Sequence, residues 1–127
     1  MSAPDRATIV FRYERPPLSE NYTMGWRQKS RWVKSLRRQA AVEARSLGLA
    51  GFGPCTVTLT WFVKTRHKRD AENPVPTLKA FCDGLVDAGL VPDDTPDLMH
   101  KRMPVIHYDP TCTPHLELTI ERGVPSG

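Results

Sequence analysis

Residues 55–63, CTVTLTWFV, alternate from end to end, with Val57, Leu59, Trp61 and Val63 on one side and Thr56, Thr58 and Thr60 on the other. Side chains of an extended strand point alternately to opposite faces, so this pattern demands a strand with one buried face. Its β-branched and aromatic residues suit that conformation. The buried face needs a cover, and two stretches with a different period supply one. Between Arg27 and Leu49, the residues Val33, Leu36, Ala40, Ala44 and Leu47 recur every three or four positions as one apolar stripe of a helix, stopped by Gly48, Gly51 and Gly53. A second stripe joins Leu78, Phe81, Cys82, Leu85 and Val86, with Gly89 as its stop. Pro74 and Pro76 disfavour helical backbone at Asn73 and Val75, which puts the start of this helix near Pro76 or Thr77.

Three further stretches read as strands. ATIVFRY (7–13) and HLELTIE (115–121) both alternate, and LMHKRMPVI (98–106) carries Pro104, which assigns it to a sheet edge or a bulge. ERPPLSENYTMGW, between the first strand and the first helix, is a loop broken by Pro16 and Pro17. The resulting order, β-α-β-α-β-β, predicts an α+β (α/β-like) fold with one mixed sheet backed by two helices. Helical crossovers would make the first three strands partly parallel, and the last two would form a hairpin. At 127 residues this is one domain, with its core over about 6–122 and a short tail at 123–127.

Charge is unevenly spread. The 18 Lys and Arg exceed the 14 Asp and Glu, and they concentrate in two places. The first helix bears Arg27, Lys29, Arg31, Lys34, Arg37, Arg38 and Arg45 against Glu43 alone, and Lys64, Arg66, Lys68 and Arg69 follow the 55–63 strand. Such asymmetry fits an anionic polymer as partner, although a solvated helix face is the plainer reading. The three cysteines, Cys55, Cys82 and Cys112, show no paired spacing, which argues against a disulfide framework or a CxxC zinc site; Cys112 and His115 lack a second pair. No apolar run reaches the ~18 residues of a membrane span, and the N-terminal stretch has no apolar signal region. The expectation is a soluble protein in a reducing, cytoplasmic setting.

The basic run leads straight into two acids one residue apart, Asp70 and Glu72, and another acidic pair, Asp93 and Asp94, follows the second helix. Carboxylates brought beside a phosphate backbone normally need a divalent cation between them, and Mg²⁺ favours such oxygen ligands. Acid-x-acid spacing in an extended segment would point both side chains the same way. Asp70, Glu72 and Asp94 are therefore candidate metal ligands, with Asp93 a possible fourth. Lys79 and Asp83 lie on the polar side of the second helix.

RDAENPVPTLKAFCDGLVDAGLVPDD resembles the signature of the RusA family of crossover-junction endodeoxyribonucleases, which are phage-associated Holliday junction resolvases. PPLSENY is similar to that family's early loop and MPVIHYDPTCTPHLELTIE to its closing strands, so the likeness covers nearly the whole chain. It implies Mg²⁺-dependent nicking of four-way DNA junctions by a homodimer in a bacterial cytoplasm, with Mn²⁺ as a substitute. No membrane and no small-molecule substrate is implied. The metal carboxylates fall on Asp70, Glu72 and Asp94 and the essential lysine on Lys79, making these four the expected catalytic residues. The DNA-binding set is Arg31, Lys34, Arg38, Lys64, Arg66, Lys68 and Arg69. The chain departs from the family in having Glu72 rather than Asp, and in the Pro-Val-Pro stretch that lengthens the Asn73 to Lys79 interval. An extended bulge at those prolines would leave the helix in place.

Plainer readings exist for each residue. Asp93 and Asp94 are ordinary turn residues, Asp83 suits an i,i+4 pair with Lys79, and Asp70 and Glu72 could balance Lys68 and Arg69. Trp32 and Trp61 suit a core, and Trp26, in the loop, is the candidate for stacking on a base, beside Asn21 and Tyr22 as loop contacts. The rival functions are a non-catalytic basic DNA-binding protein and a flap or branched-DNA nuclease of looser preference.

Overall fold

The computed structural model describes residues 5–125. In it the chain runs through β1 (Arg6–Phe11), α1 (Trp26–Ser46), β2 (Cys55–Val63), α2 (Val75–Asp87), β3 (Met99–Lys101), β4 (Val105–Tyr108) and β5 (His115–Arg122). Two helices and a five-stranded mixed sheet give the α+β architecture the periodicities predict. The last two residues of the expected tail, 126 and 127, lie outside the described residues.

The segment expected as one strand over 98–106 is divided. β3 runs parallel to residues 55–57 and β4 parallel to 60–63, so both lie along the same side of β2. Arg102 still donates its N–H to the Val57 carbonyl at 3.0 Å. Pro104 has no N–H to give, and the ladder lapses there. This is the edge position that the proline foretells.

The expected hairpin of the last two strands does not form. β5 lies between β1 and β2, antiparallel to both, with Leu118 opposite Ile9 on one side and Leu59 on the other. Burial explains the choice, because Leu116, Leu118 and Ile120 are wholly covered whereas Val105, His107 and Tyr108 of β4 are exposed. A strand that buries one complete face gains most at the centre of the sheet. β1 and β2 consequently run in the same direction without being neighbours.

Both helices cover one face of the sheet. Leu36, Ala40, Ala41 and Ala44 of α1 meet Leu78, Phe81, Cys82 and Leu85 of α2 over Val57, Leu59, Leu116 and Leu118. Phe81 stacks on Phe11 with ring centroids 4.0 Å apart. The helices touch closely at Gly84, where an added Cβ would lie 2.1 Å from the Arg37 carbonyl oxygen and 2.9 Å from the Ala40 Cβ. Leu47, expected in the α1 stripe, is 48% exposed because the helix ends one residue earlier and Leu47 is its cap. Gly48, at φ 69°, turns the chain so that Leu49 donates to the Ala44 carbonyl at 3.0 Å and enters the core instead.

Candidate functional site

The early loop is seated on the start of α2. Thr77, in the first turn of that helix, is fully buried, and its hydroxyl accepts the Leu18 N–H at 3.0 Å and donates to the Leu18 carbonyl at 2.7 Å. The Glu20 N–H adds a bond to the Asn73 carbonyl at 3.2 Å. Pro16, Pro17 and Leu18 are buried. The PPLSENY and DAEN stretches, far apart in the chain, are thus neighbours.

Asp70 and Glu72 do not lie along one extended segment. Residues 71–74 form turns, in which the Asn73 N–H bonds the Asp70 carbonyl at 3.0 Å and the Asp70 Oδ1 accepts the Glu72 N–H at 3.1 Å. An Asp side chain competes well for an amide two residues ahead, and that preference overrides the extended geometry assumed from spacing. Both acids are exposed, and neither enters an ion pair among the described residues. They do not balance Lys68 and Arg69. Arg69 instead donates to the Thr65 carbonyl at 2.9 Å, the His67 carbonyl at 3.2 Å and the Thr65 hydroxyl at 3.0 Å. Its guanidinium lies 5.2 Å from the centre of the Trp61 ring.

The Pro-Val-Pro stretch is not an extended bulge. Pro74 caps α2 in helical backbone (φ −76°, ψ −2°), Val75 opens the helix, and Pro76 occupies its first turn, where a missing N–H costs nothing. Lys79 is exposed one turn further on and lines a shallow cavity of about 350 Å³ together with Asp83, Lys29 and Glu20. No Lys79–Asp83 ion pair forms among the described residues. Asp83 lies in the field of Lys101 and Arg37.

Asp94 has another partner. Its Oδ2 accepts the Lys101 Nζ at 2.7 Å, and its N–H bonds the Asp93 Oδ1 at 2.8 Å. The Lys101 hydrogen bond, then its charge, holds the Asp94 carboxyl below the usual carboxylate range. Burial, the largest single influence, disfavours the charged Lys101, but Asp94 together with Cys82 and Asp83 outweighs it and the ammonium pKa is raised. Sequence reasoning missed Lys101. Only the parallel register that sets it opposite the buried Val57 brings it to this acid. Among the described residues, no three Asp, Glu, His or Cys side chains gather into a group able to hold a metal ion. Asp70 and Glu72 share one turn, while Asp94 stays with Lys101.

The basic residues divide into two kinds. Arg31, Lys34 and Arg38 are exposed along α1, and Lys64, Arg66 and Lys68 are exposed after β2. Arg66 lies 4.4 Å from the Tyr108 ring centre. Arg37 and Arg45, in contrast, clamp α2 through Asp87, by Nη2 to Oδ1 at 2.8 Å and Nη2 to the main-chain oxygen at 3.2 Å. Trp26 is 76% exposed beside Arg27, whereas Trp32 and Trp61 are half-buried. The Cys55 and Cys82 thiols are inert, pushed up to about 11 and about 12 by burial. His115 is occupied by the Thr113 carbonyl and Glu117 and stacks on Phe62.

A scan against protein-family models returns no match for this chain, and a search of curated proteins returns no relative. No helix among the described residues is long and apolar enough to cross a membrane.

Proposed function

We propose that this protein is a Mg²⁺-dependent endonuclease that nicks four-way DNA junctions as a homodimer in the cytoplasm. The observation that carries the reading is the Asp70–Glu72 turn, exposed and outside any ion pair among the described residues, at the end of a basic run and against the docked early loop. Two such carboxylates fit a hard cation that keeps several waters and takes further oxygens from phosphate. Asp70 and Glu72 would hold the ion, and Asp94 would join them only on release from Lys101. When bound, the ion lowers the pKa of a water and neutralises charge on the phosphoryl oxygens.

The remaining work falls to this chain's cations. Lys79 supplies positive charge toward the phosphoryl oxygens, and Arg31, Lys34, Arg38, Lys64, Arg66, Lys68 and Arg69 neutralise the DNA backbone. Attack of water on phosphorus with loss of the 3′ oxygen leaves a 5′-phosphate and a 3′-hydroxyl. Two-fold symmetry matches the two equivalent strands of a junction.

One observation favours a second reading. The Asp94–Lys101 ion pair gives that acid a structural role, as in a DNA-binding protein without catalysis. Mobile and immobile four-way junctions, incubated beside linear duplex with and without Mg²⁺, separate the two. The nuclease nicks junctions only with metal, and Asp70→Asn keeps binding while losing cleavage. Salt-sensitive binding with no nicks establishes the rival, and equal cutting of flaps and junctions identifies a less selective branched-DNA nuclease.

A further inference from the structure

We infer that the cavity framed by Tyr13, Arg15, Tyr22, Trp32, Trp61 and Arg69 binds one unstacked nucleotide of a DNA strand, its base among the rings and its phosphate on the arginines. The inference rests on the DNA-binding half of the function proposed above and does not need the chemistry.

The cavity measures about 740 Å³, within the ~300–1,000 Å³ typical of small-ligand sites. Four aromatic rings, all half-buried, line it. Tyr13, Trp32 and Trp61 are fixed before any ligand arrives. The Trp61 indole N–H donates to the Glu14 carbonyl at 3.0 Å, the Tyr13 hydroxyl accepts Gln39 Nε2 at 2.6 Å, and Tyr13 meets Trp32 edge to face at 5.9 Å. Preset walls spare the ligand part of the ordering cost of binding.

The cations are equally placed. Arg69 is held by its three bonds to Thr65 and His67 and lies beside Trp61, and the Arg15 guanidinium lies 5.5 Å from the Tyr22 ring centre. Rings give a base a π face to stack on whatever its identity, and arginine planes bind phosphate. Two arginines against the single acid Glu14 select an anion over an uncharged proline-rich peptide, the other occupant such rings would suit. A smaller cavity of about 160 Å³ shares Arg15, Tyr22, Trp61 and Arg69 with the first and reaches Lys68 and Asn73, beside the acidic turn. A strand entering the larger cavity is thereby led toward Asp70 and Glu72.

The test uses the whole protein in EDTA, with a fluorescein-labelled oligothymidylate and a blunt duplex of equal length, read by anisotropy. Tyr22→Ala weakens oligothymidylate binding about tenfold and leaves duplex binding unchanged, and Tyr22→Phe, which keeps the ring, binds as the wild type does. Undiminished single-strand affinity in Tyr22→Ala overturns the inference, as does an equal loss on duplex or displacement of the oligonucleotide by an uncharged proline-rich peptide. Junction nicking by the wild type with no Tyr22→Ala effect refutes the pocket and spares the nuclease. A Tyr22→Ala effect in a protein that never nicks refutes the nuclease and spares the pocket.

Discussion

Thr77 and Leu18, 59 residues apart, are joined twice through one hydroxyl, which accepts the Leu18 N–H and donates to the Leu18 carbonyl. Thr77→Val keeps the shape of the side chain and strands both buried main-chain groups. The expected loss is about 1–3 kcal/mol of stability by urea denaturation. Thr77→Ser, which retains the hydroxyl, recovers most of it. A Val variant as stable as the parent would show that water replaces the bonds.

Gly84→Ala sets two effects against each other. Alanine favours a helix by ~1 kcal/mol, but its Cβ would lie 2.1 Å from the Arg37 carbonyl oxygen, main chain that cannot swing aside. The clash wins, and the variant melts lower, by about 1–3 kcal/mol of stability at the transition. An unchanged or higher melting temperature contradicts the close helix approach.

Asp87 ties the two helices through charge. The Arg37 hydrogen bond holds its carboxyl below the ordinary range. A depressed carboxyl adds stability above its unfolded pKa of ~3.9, and that stability disappears as pH falls through the folded value. The pair is 48% and 34% exposed, so the contribution is ~0.2–1 kcal/mol after screening. Urea midpoints of Asp87→Asn and wild type differ at neutral pH and converge in acid. A gap that persists in acid assigns the effect to packing instead.

Arg31→Ala, Lys34→Ala and Arg38→Ala combined weaken DNA binding and flatten its dependence on salt, by about one slope unit for each phosphate that is no longer neutralised. Arg37→Ala serves as the contrast, because Arg37 is spent on Asp87. It lowers stability and leaves the slope alone. Equal slopes in the triple variant and the wild type remove α1 from the DNA interface.

Lys101→Met frees the Asp94 carboxylate from its ion pair. Half-maximal junction nicking then needs less Mg²⁺ than in the wild type. An unaltered Mg²⁺ requirement keeps Asp94 away from the metal.

Strand β2 is legible in the sequence because alternation is a local property, and its predicted bounds, 55–63, are those found. The two helices and the weak edge at Pro104 are legible for the same reason. The insertion of β5 beside β2 is not, since a strand's neighbour is set by how much of its face needs covering elsewhere in the fold. At the candidate site, Asp70 and Glu72 are visible as residues, but their turn depends on Asp70 capturing the Glu72 amide. Lys101 escapes notice because nothing local links it to Asp94. Tyr13, Trp32 and Trp61 read as strand, helix and strand residues, and only the folded loop makes them walls of one cavity.

The lapse at Met103 and Pro104 bears on how the molecule tolerates crowding. The outer neighbour of β2 stops after three residues and resumes for four, so that flank offers incoming chains no unbroken row of amides and carbonyls. Copies brought side by side therefore meet no continuous strand edge on that flank to pair with.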